Sequence, residues 1–373
     1  MNLHRFRELD SLRGIAAIGI VFWHYKAQFG AEPLFHLFFP FYNAGLILVD
    51  FFILLSGFVL AYKYLNQKKG PSFNKLAISR FLRLYPLHFF TLIIVLIQVV
   101  ILVNIFNSQE YVYEYNNLKH FILNIFLLQN TGLEDGFSFN ATSWAVSTIF
   151  FVNLLFFLIV SKVKNQRFAI SLYILCFLLP FLFFLFITHT MITDQKIIFV
   201  SSGILRTMLD FFLGVLLFIL IKKNDGKELK LSKYLYDFQF IIFVLILIFF
   251  MSFRIGTITG IDLVTACIVF PLILVSSIRS NIMSYLLKNP VLMYIGKISF
   301  SIYLIHYPIQ LLFRIVEKIS GFNFNYHNPW IMLLFFAVVF AISHAFYHTI
   351  ESSGKKLFNT YSNTKQRDSM VSL

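Results

Sequence analysis

The sequence is poor in charged residues and in cysteine. Only 13% of its 373 residues are Asp, Glu, Lys or Arg, about half of the ~25% that is typical of soluble chains. This shortage excludes a soluble globular domain and a disordered chain. The two cysteines, Cys176 and Cys267, lie inside apolar runs. This placement fits small buried side chains and excludes a disulfide framework.

The sequence is rich in long apolar segments. Hydrophobic residues make up 58% of the chain, Phe alone contributes 49 residues, and the mean hydropathy is +0.77. Apolar runs of about 17–25 residues can cross a bilayer as helices, whereas barrel strands are about 10 residues long and alternate in polarity. The sequence therefore predicts an all-α polytopic membrane protein with about ten transmembrane helices in one bundle. The predicted spans are about 9–28, 43–62, 84–106, 143–160, 168–188, 204–221, 237–253, 261–278, 291–313 and 330–350.

The distribution of basic residues predicts the orientation. With both termini in the cytoplasm, 22 of the 31 Lys and Arg residues fall in inner segments and 5 in outer segments, as the positive-inside rule requires. The net charge of +14 is then explained by topology and by anionic lipid, and it gives no support to nucleic-acid binding. Residues 1–353 are predicted to form one transmembrane domain, and 354–373 a flexible cytoplasmic tail. The apolar piece 120–129 is too short to span and predicts a re-entrant or interfacial segment.

Ionisable residues inside a span are costly, so they mark candidate sites. Arg13 and His24 are separated by about three helical turns, so they share one face of the first span, about 16 Å apart. His24, Asp50 and His306 fall at nearly the same predicted depth. Two imidazoles and a carboxylate at one level fit a general-base site in which the acid orients one imidazole. The alternative for either histidine alone is a buried ring hydrogen-bonded to a carbonyl group.

Other ionisable residues have simpler explanations. Arg206 and Asp210 lie four residues apart on one helix face, where they would neutralise each other. Three more ionisable residues fit a structural role: their side chains would form contacts between helices or extend to a membrane surface. These are Arg314, His344 and His348. No spacing of ligand residues predicts a zinc site, because zinc takes three or four close ligands.

Basic residues also cluster at the predicted inner end of the bundle. Arg80 and Arg83 share a face at the start of the third span, and Arg13 and Lys297 lie at a similar depth. The general enrichment of Lys and Arg at the cytoplasmic ends of membrane spans explains this cluster. It also fits a phosphate clamp, for which the guanidinium group is well suited.

Several of these residues stand in motifs of a known family. In chain order the motifs are LDSLRGIAAIGIVFWHY, VDFFILLSGFVLAYKY, SRFLRLYPLHFF, FFLGVLLF, IGKISFSIYLIHYPI and YHTIESS. With this order and spacing, essentially the whole chain resembles the membrane acyltransferase-3 family, the bacterial O-acyltransferases of surface polysaccharides.

The resemblance implies an integral-membrane O-acyltransferase of the bacterial cytoplasmic (inner) membrane. It would move an acyl group, acetyl by default, from cytosolic acyl-CoA to a sugar hydroxyl of a surface or exported glycan. Acetyl-CoA would be a substrate, and we expect no permanently bound cofactor and no metal. The catalytic residues would be His24, Asp50 and His306, with either histidine as the base and direct transfer favoured over a covalent intermediate. The donor-binding residues would be Arg13, Arg80, Arg83, Lys297 and Ser56.

Two departures from the family pattern stand out. Ile149 occupies the position five residues after Trp144 where the family commonly has Glu, and Ser352 and Ser353 follow Glu351 where Pro is usual. The first departure keeps open a catalytically inactive member inside a polysaccharide assembly complex. A transporter or flippase of a glycan or lipid-linked intermediate is a further alternative, disfavoured because no internal repeat is evident. A homodimer or a separate polysaccharide-assembly partner also stays open.

Overall fold

The computed structural model describes residues 6–67, 72–109, 112–188, 196–197, 200–224, 233–253 and 260–353. Helices dominate these ranges, and the strands Lys196–Ile197 and Val200–Ser201 form one short antiparallel pair. The prediction of an all-α bundle is confirmed. The segment 354–373, predicted to be a flexible tail, lies outside the described residues.

The helices are numbered in chain order. They are α1 (Arg7–Phe29), α2 (Phe35–Ala44), α3 (Leu48–Tyr64), α4 (Phe73–Val100), α5 (Leu118–Ile125), α6 (Trp144–Lys162), α7 (Gln166–Phe183), α8 (Ser202–Asn224), α9 (Lys233–Ser252), α10 (Ile261–Val264), α11 (Phe270–Arg279), α12 (Ile282–Leu287), α13 (Pro290–Ser320) and α14 (Pro329–Phe346). Single π-helical segments continue α4, α7, α10 and α14, namely Ile101–Ile105, Phe184–Thr188, Thr265–Val269 and Tyr347–Glu351.

Each predicted span coincides with one of these helices or with a continuous pair. Nine helical stretches within the described ranges are long and apolar enough to cross a membrane. The charged helix α1 is not among them, so the count of about ten and the cytoplasmic position of the termini stay predictions. The second stretch starts at Phe35, earlier than predicted, because the Phe-rich helix α2 joins α3 through the turn Gly45–Ile47.

Local sequence signals explain where the long helices begin and end. The side chain of Asn289 accepts hydrogen bonds from the backbone N–H groups of Val291 and Leu292, and Pro290 opens α13. Proline suits this first position because its missing N–H would have no partner there. Gly321 ends the same helix in the left-handed conformation, with φ of 68°, which glycine adopts without strain.

Close glycine contacts bring α1 and α13 together as parallel neighbours. A Cβ atom placed on Gly296 would lie 1.7 Å from the carbonyl oxygen of Asp10, and one on Gly14 would lie 2.8 Å from the backbone nitrogen of Gly296. Small residues allow this approach of two backbones in a membrane bundle. Both helices then run ten residues further to His24 and His306, so the glycine contact brings the two imidazoles to the same level.

Helices α3 and α8 make a second close contact of this kind. A Cβ atom on Gly57 would lie 2.0 Å from the carbonyl oxygen of Phe211, and one on Gly214 would lie 2.2 Å from that of Leu54. The two helices also run parallel, since Asp50 near the start of α3 contacts Arg206 near the start of α8. This packing forms a buried ion pair between the two elements.

The segment 112–143 packs against α4 and α13. Helix α5 has only 8 residues, so the prediction that 120–129 does not span is confirmed. His88 of α4 hydrogen-bonds through Nε2 to the carbonyl oxygen of Asn124 at 2.8 Å. Asp135 pairs with Lys119 at 2.5 Å and with Lys196 at 3.1 Å. These two lysines hold the pKa of Asp135 at about 2.

Candidate active site

Two histidines meet in the interior of the bundle. The ring centroids of His24 and His306 are 4.8 Å apart with an angle of 41° between the planes. His306 is fully buried, and its Nδ1 lies 3.2 Å from the carbonyl oxygen of Ile302. A carbonyl oxygen accepts only, so Nδ1 carries the proton and Nε2 carries the lone pair. Nε2 has no hydrogen-bond partner among the described residues and is therefore available as a base.

Asp50 is close to a guanidinium group rather than to an imidazole. Nε of Arg206 donates to Oδ1 of Asp50 at 2.6 Å, and a terminal nitrogen donates to Oδ2 at 2.8 Å. Both residues are buried. Within the described ranges the predicted contact of Asp50 with an imidazole is not formed, and its catalytic assignment stays a prediction.

Arg206 therefore differs from its sequence interpretation. The pairing with Asp210 one turn along α8 gives way to a two-pronged pair with Asp50 of α3, because parallel N–H donors match the two oxygens of a carboxylate across the helix interface. Asp210 remains inside the same buried cluster. The guanidinium carbon of Arg206 lies 5.9 Å from the ring centroid of Trp144, so this buried Trp packs against a cation.

The basic residues of the predicted inner end line a common space, here called the arginine cavity. Its empty volume is about 860 Å³, and its polar lining includes Arg13, Arg80, Arg83 and Ser56. Arg80 is buried, and its Nε has no hydrogen-bond partner among the described residues. A buried donor without a partner costs free energy, so this guanidinium is ready for an anion. The remaining walls are mostly aliphatic and aromatic.

A second space, the mouth cavity, adjoins the first because Arg13 and Arg83 line both. Its empty volume is about 990 Å³, and it adds Lys297 to the basic lining together with two carboxylates, those of Asp10 and Glu351. The ammonium nitrogen of Lys297 lies 5.1 Å from the ring centroid of Tyr347. All five predicted donor-binding residues therefore line two adjoining cavities.

The arginine cavity ends one helical turn short of the histidine pair. Ile20 lines the cavity and precedes His24 by four residues on the same face of α1. Tyr303 lines it from α13, and its ring centroid lies 6.1 Å from that of His306. The Tyr303 hydroxyl donates to the carbonyl oxygen of Thr142 at 2.5 Å. These contacts fix the ring between the cavity and the imidazole.

The other ionisable residues make contacts between or along helices, as predicted. Arg314 donates to the carbonyl oxygen of Gln28 at 3.1 Å and to Glu317 at 3.1 Å. His344 contacts the Tyr294 hydroxyl at 2.5 Å, and its ring centroid lies 4.7 Å from that of His348. No group of three metal-ligating side chains that could hold a metal ion occurs within the described part of the chain.

Sequence reasoning missed Tyr303 and Gln310. Both follow the face of α13 that carries His306, at spacings of three and four residues, so helical periodicity was the available signal. Gln310 is fully buried, and neither atom of its amide has a hydrogen-bond partner among the described residues. A buried amide without a partner among the described residues, one turn beyond the imidazole, marks a polar spot beside the histidine pair.

Comparison with known protein families shows which family the chain belongs to. A family described as an acyltransferase domain matches residues 6–348. The chain belongs to the membrane acyltransferase-3 family. This membership, together with the apolar helices, makes it an integral multi-pass membrane protein.

One curated relative of this family member is "Protein 2 in picA locus" of Rhizobium radiobacter. It is 41% identical over 88 residues, which cover 22% of this chain and 40% of that protein. The match thus spans less than half of the relative's length. No solved structure matches the chain.

Proposed function

We propose that this acyltransferase moves an acyl group, acetyl by default, from cytosolic acyl-CoA to a sugar hydroxyl of a surface or exported glycan. The observation that supports it most is the position of the histidine pair, one turn beyond a cavity lined by Arg13, Arg80 and Arg83. Along α1, binding groups for the phosphates, an apolar channel for the pantetheine arm and a proton acceptor would then follow one another.

The donor would bind with its phosphates at the mouth. Arg13, Arg83 and Lys297 supply three cations there, which outnumber the two carboxylates of that cavity. Guanidinium groups bind phosphate oxygens with two parallel hydrogen bonds. The pantetheine arm would extend through the arginine cavity, whose walls are mostly apolar. Arg13 and His24 lie about 16 Å apart along the helix axis, a distance that an extended pantetheine arm spans.

His306 would act as the general base. Its Nε2 takes the proton of the sugar hydroxyl while the hydroxyl oxygen attacks the thioester carbonyl carbon. The carbon–sulfur bond then breaks, and the CoA thiolate takes the proton from the imidazolium, which restores the neutral ring. A positioned base of this kind contributes about 10²–10⁴-fold to a rate. Because two cationic rings in contact repel each other, His24 stays neutral while His306 holds the proton.

Asp50 would act by position rather than by proton transfer. Its pair with Arg206 joins α3 to α8 inside the bundle, and Arg206 packs against Trp144 at the start of α6. Thr142, just before that helix, accepts the hydrogen bond of Tyr303. The ion pair thereby supports the wall that holds Tyr303 beside His306.

The proposed donor, acyl-CoA, determines the membrane and the orientation that we propose for the protein. Acyl-CoA is cytosolic, so the arginine end would face the cytoplasm of a bacterial inner membrane, in agreement with the positive-inside count. Both termini would then be cytoplasmic. Acetyl-CoA is a substrate, and no permanently bound cofactor is needed for this chemistry. A homodimer and a separate polysaccharide-assembly partner both remain compatible with it.

A specific observation favours a second candidate function. Ile149 lines the arginine cavity, so the position where the family commonly has Glu would belong to the proposed donor site. A chain that binds acyl-CoA without transferring the acyl group, and serves a polysaccharide assembly complex, would fit this departure.

The test is acyl transfer by purified protein in lipid nanodiscs. With labelled acetyl-CoA and glycan from the organism that carries the gene, we expect transfer by the wild type and loss of transfer in His306→Ala and His24→Ala at unchanged folding and unchanged CoA affinity. The control is His36→Ala, a change away from the bundle interior. Full transfer in either histidine variant removes that residue from the mechanism, and CoA binding without transfer in the wild type supports the second candidate.

A further inference from the structure

A separate cavity lies at the end of α4 that is remote from the arginines. Its empty volume is about 1060 Å³. Arg80 and Asn104 belong to one continuous helical stretch, and the 24 residues between them rise about 36 Å. This far-end cavity therefore opens at the membrane face opposite to the mouth cavity.

One part of the far-end cavity has the chemistry of a sugar site. Asn104, Glu114 and Asn116 bring amide and carboxylate groups to it, and Tyr113 and Phe139 bring aromatic rings. Amides and carboxylates bind hydroxyl groups, and a ring face packs against the C–H face of a sugar. The Nδ2 of Asn116 has no hydrogen-bond partner among the described residues, while its Oδ1 accepts from the backbone N–H of Phe139 at 2.5 Å.

The other part of this cavity is aliphatic and faces the lipid. Val99 and Val103 line it from the outer turns of α4 and the π-helical segment that follows. The neighbouring side chains Ile97, Val100 and Ile105 are exposed, which in a membrane means contact with acyl chains. The cavity thus combines a polar, aromatic part with an aliphatic part that includes the exposed Val100.

The residues that form the wall of the far-end cavity contact α13 close to the proposed base, His306. The rings of Tyr113 and Tyr307 stack with centroids 5.9 Å apart, and Tyr307 directly follows His306. Asn140, next to Phe139, donates from Nδ2 to the carbonyl oxygen of Leu304 at 3.0 Å. Both contacts place the cavity wall within two residues of the imidazole along α13.

We propose that the far-end cavity binds the acceptor, and that the acceptor is a glycan still attached to a lipid carrier. The sugar occupies the end formed by Asn104, Tyr113 and Glu114, and the lipid chain lies along the valines of α4. This inference rests on the proposed acyl transfer to a sugar hydroxyl. It adds the acceptor's binding site and its chemical class, because a free soluble glycan makes no use of the aliphatic wall.

The test compares one glycan in two forms. Lipid-linked oligosaccharides are extracted from membranes of the organism that carries the gene, and half of the extract is released from its lipid by mild acid. We expect the lipid-linked form to be used at least about tenfold better at equal concentration, the ratio that corresponds to ~1.4 kcal/mol of lipid contact. Equal use of both forms overturns the lipid part of the proposal.

Variants locate the site. The double change Asn104→Ala with Glu114→Gln alters two exposed side chains, so the fold is retained, and we expect acceptor KM to rise about tenfold or more. The Kd for CoA, whose proposed site lies at the other end of the bundle, should serve as the measure that the donor site is intact. The matched control is Ile105→Ala, an exposed neighbour that does not line the cavity. An unchanged acceptor KM in the double variant overturns the site.

A binding measurement separates this proposal from the proposed function. Native mass spectrometry records whether the purified protein retains lipid-linked oligosaccharide from the extract. Retention by the wild type and loss in the double variant, with no acyl transfer by either, keeps the binding site and refutes the transferase reaction. Transfer by the wild type with equal retention in both proteins keeps the reaction and refutes the site.

Discussion

Replacing Asp50 by Asn removes the partner of a buried guanidinium group. Arg206 then keeps its charge in an interior where it is only 4% exposed, and both of its short hydrogen bonds to the carboxylate are lost. Removing one partner of a buried ion pair typically costs about 3–5 kcal/mol, since the remaining charge is uncompensated. Asp262 and Asp210 lie close enough to compensate part of this charge, so we expect the lower end, about 3 kcal/mol.

The measurement is a double-mutant cycle. Unfolding of Asp50→Asn, Arg206→Gln and the double variant is followed by tryptophan fluorescence in one detergent. We expect each single variant to be destabilised and the double variant to be more stable than the sum of the two losses implies, with a coupling free energy of at least about 1 kcal/mol. The control is Lys26→Gln, which removes a partly exposed cation from α1. Additive losses, or a stable Asp50→Asn protein without activity, would refute the positioning role and return Asp50 to the chemistry.

Three further predictions concern other parts of the molecule. Arg83→Gln should weaken CoA binding about tenfold or more in a titration, because a charge-assisted hydrogen bond is worth about 1.5–3 kcal/mol, whereas Lys63→Gln should not; equal affinities contradict the phosphate assignment. Gly296→Ala should lower thermal stability while Val316→Ala on the same helix has little effect, since the new Cβ would meet the carbonyl oxygen of Asp10; an unaffected melting temperature contradicts the contact. Because Asp135 has a pKa lowered to about 2, its ion pairs should be intact above pH 3.8 and lost as the pH falls through about 2, seen as faster hydrogen exchange in α5; loss already at pH 5 contradicts this.

Periodicity and hydropathy were sufficient to predict a helical bundle of membrane-spanning length. Each apolar run became a helix, because a backbone in lipid must satisfy its hydrogen bonds internally. The early start of the second stretch was missed, since Phe35–Ala44 was too short to be recognised as part of a span. For two residues on one helix, such as Arg13 and His24, the helical rise and rotation predict their separation and whether they share a face.

Contacts between helices were harder to predict. Equal depth brought His24 and His306 together correctly, because the two helices run parallel in register from Gly14 and Gly296. The same argument failed to identify the partner of Asp50, since depth does not specify which face of a helix a side chain occupies. Arg206 lies at that level too, and a guanidinium competes for a carboxylate better than a neutral imidazole does.

The central claim is that one passage leads from the arginines to the histidine pair. A cryo-electron microscopy structure of the protein with CoA tests it most directly. We predict phosphates within hydrogen-bond distance of Arg13 or Arg83 and the sulfur atom beside His24 and His306. CoA bound elsewhere, or a pantetheine arm directed away from the imidazoles, would contradict it.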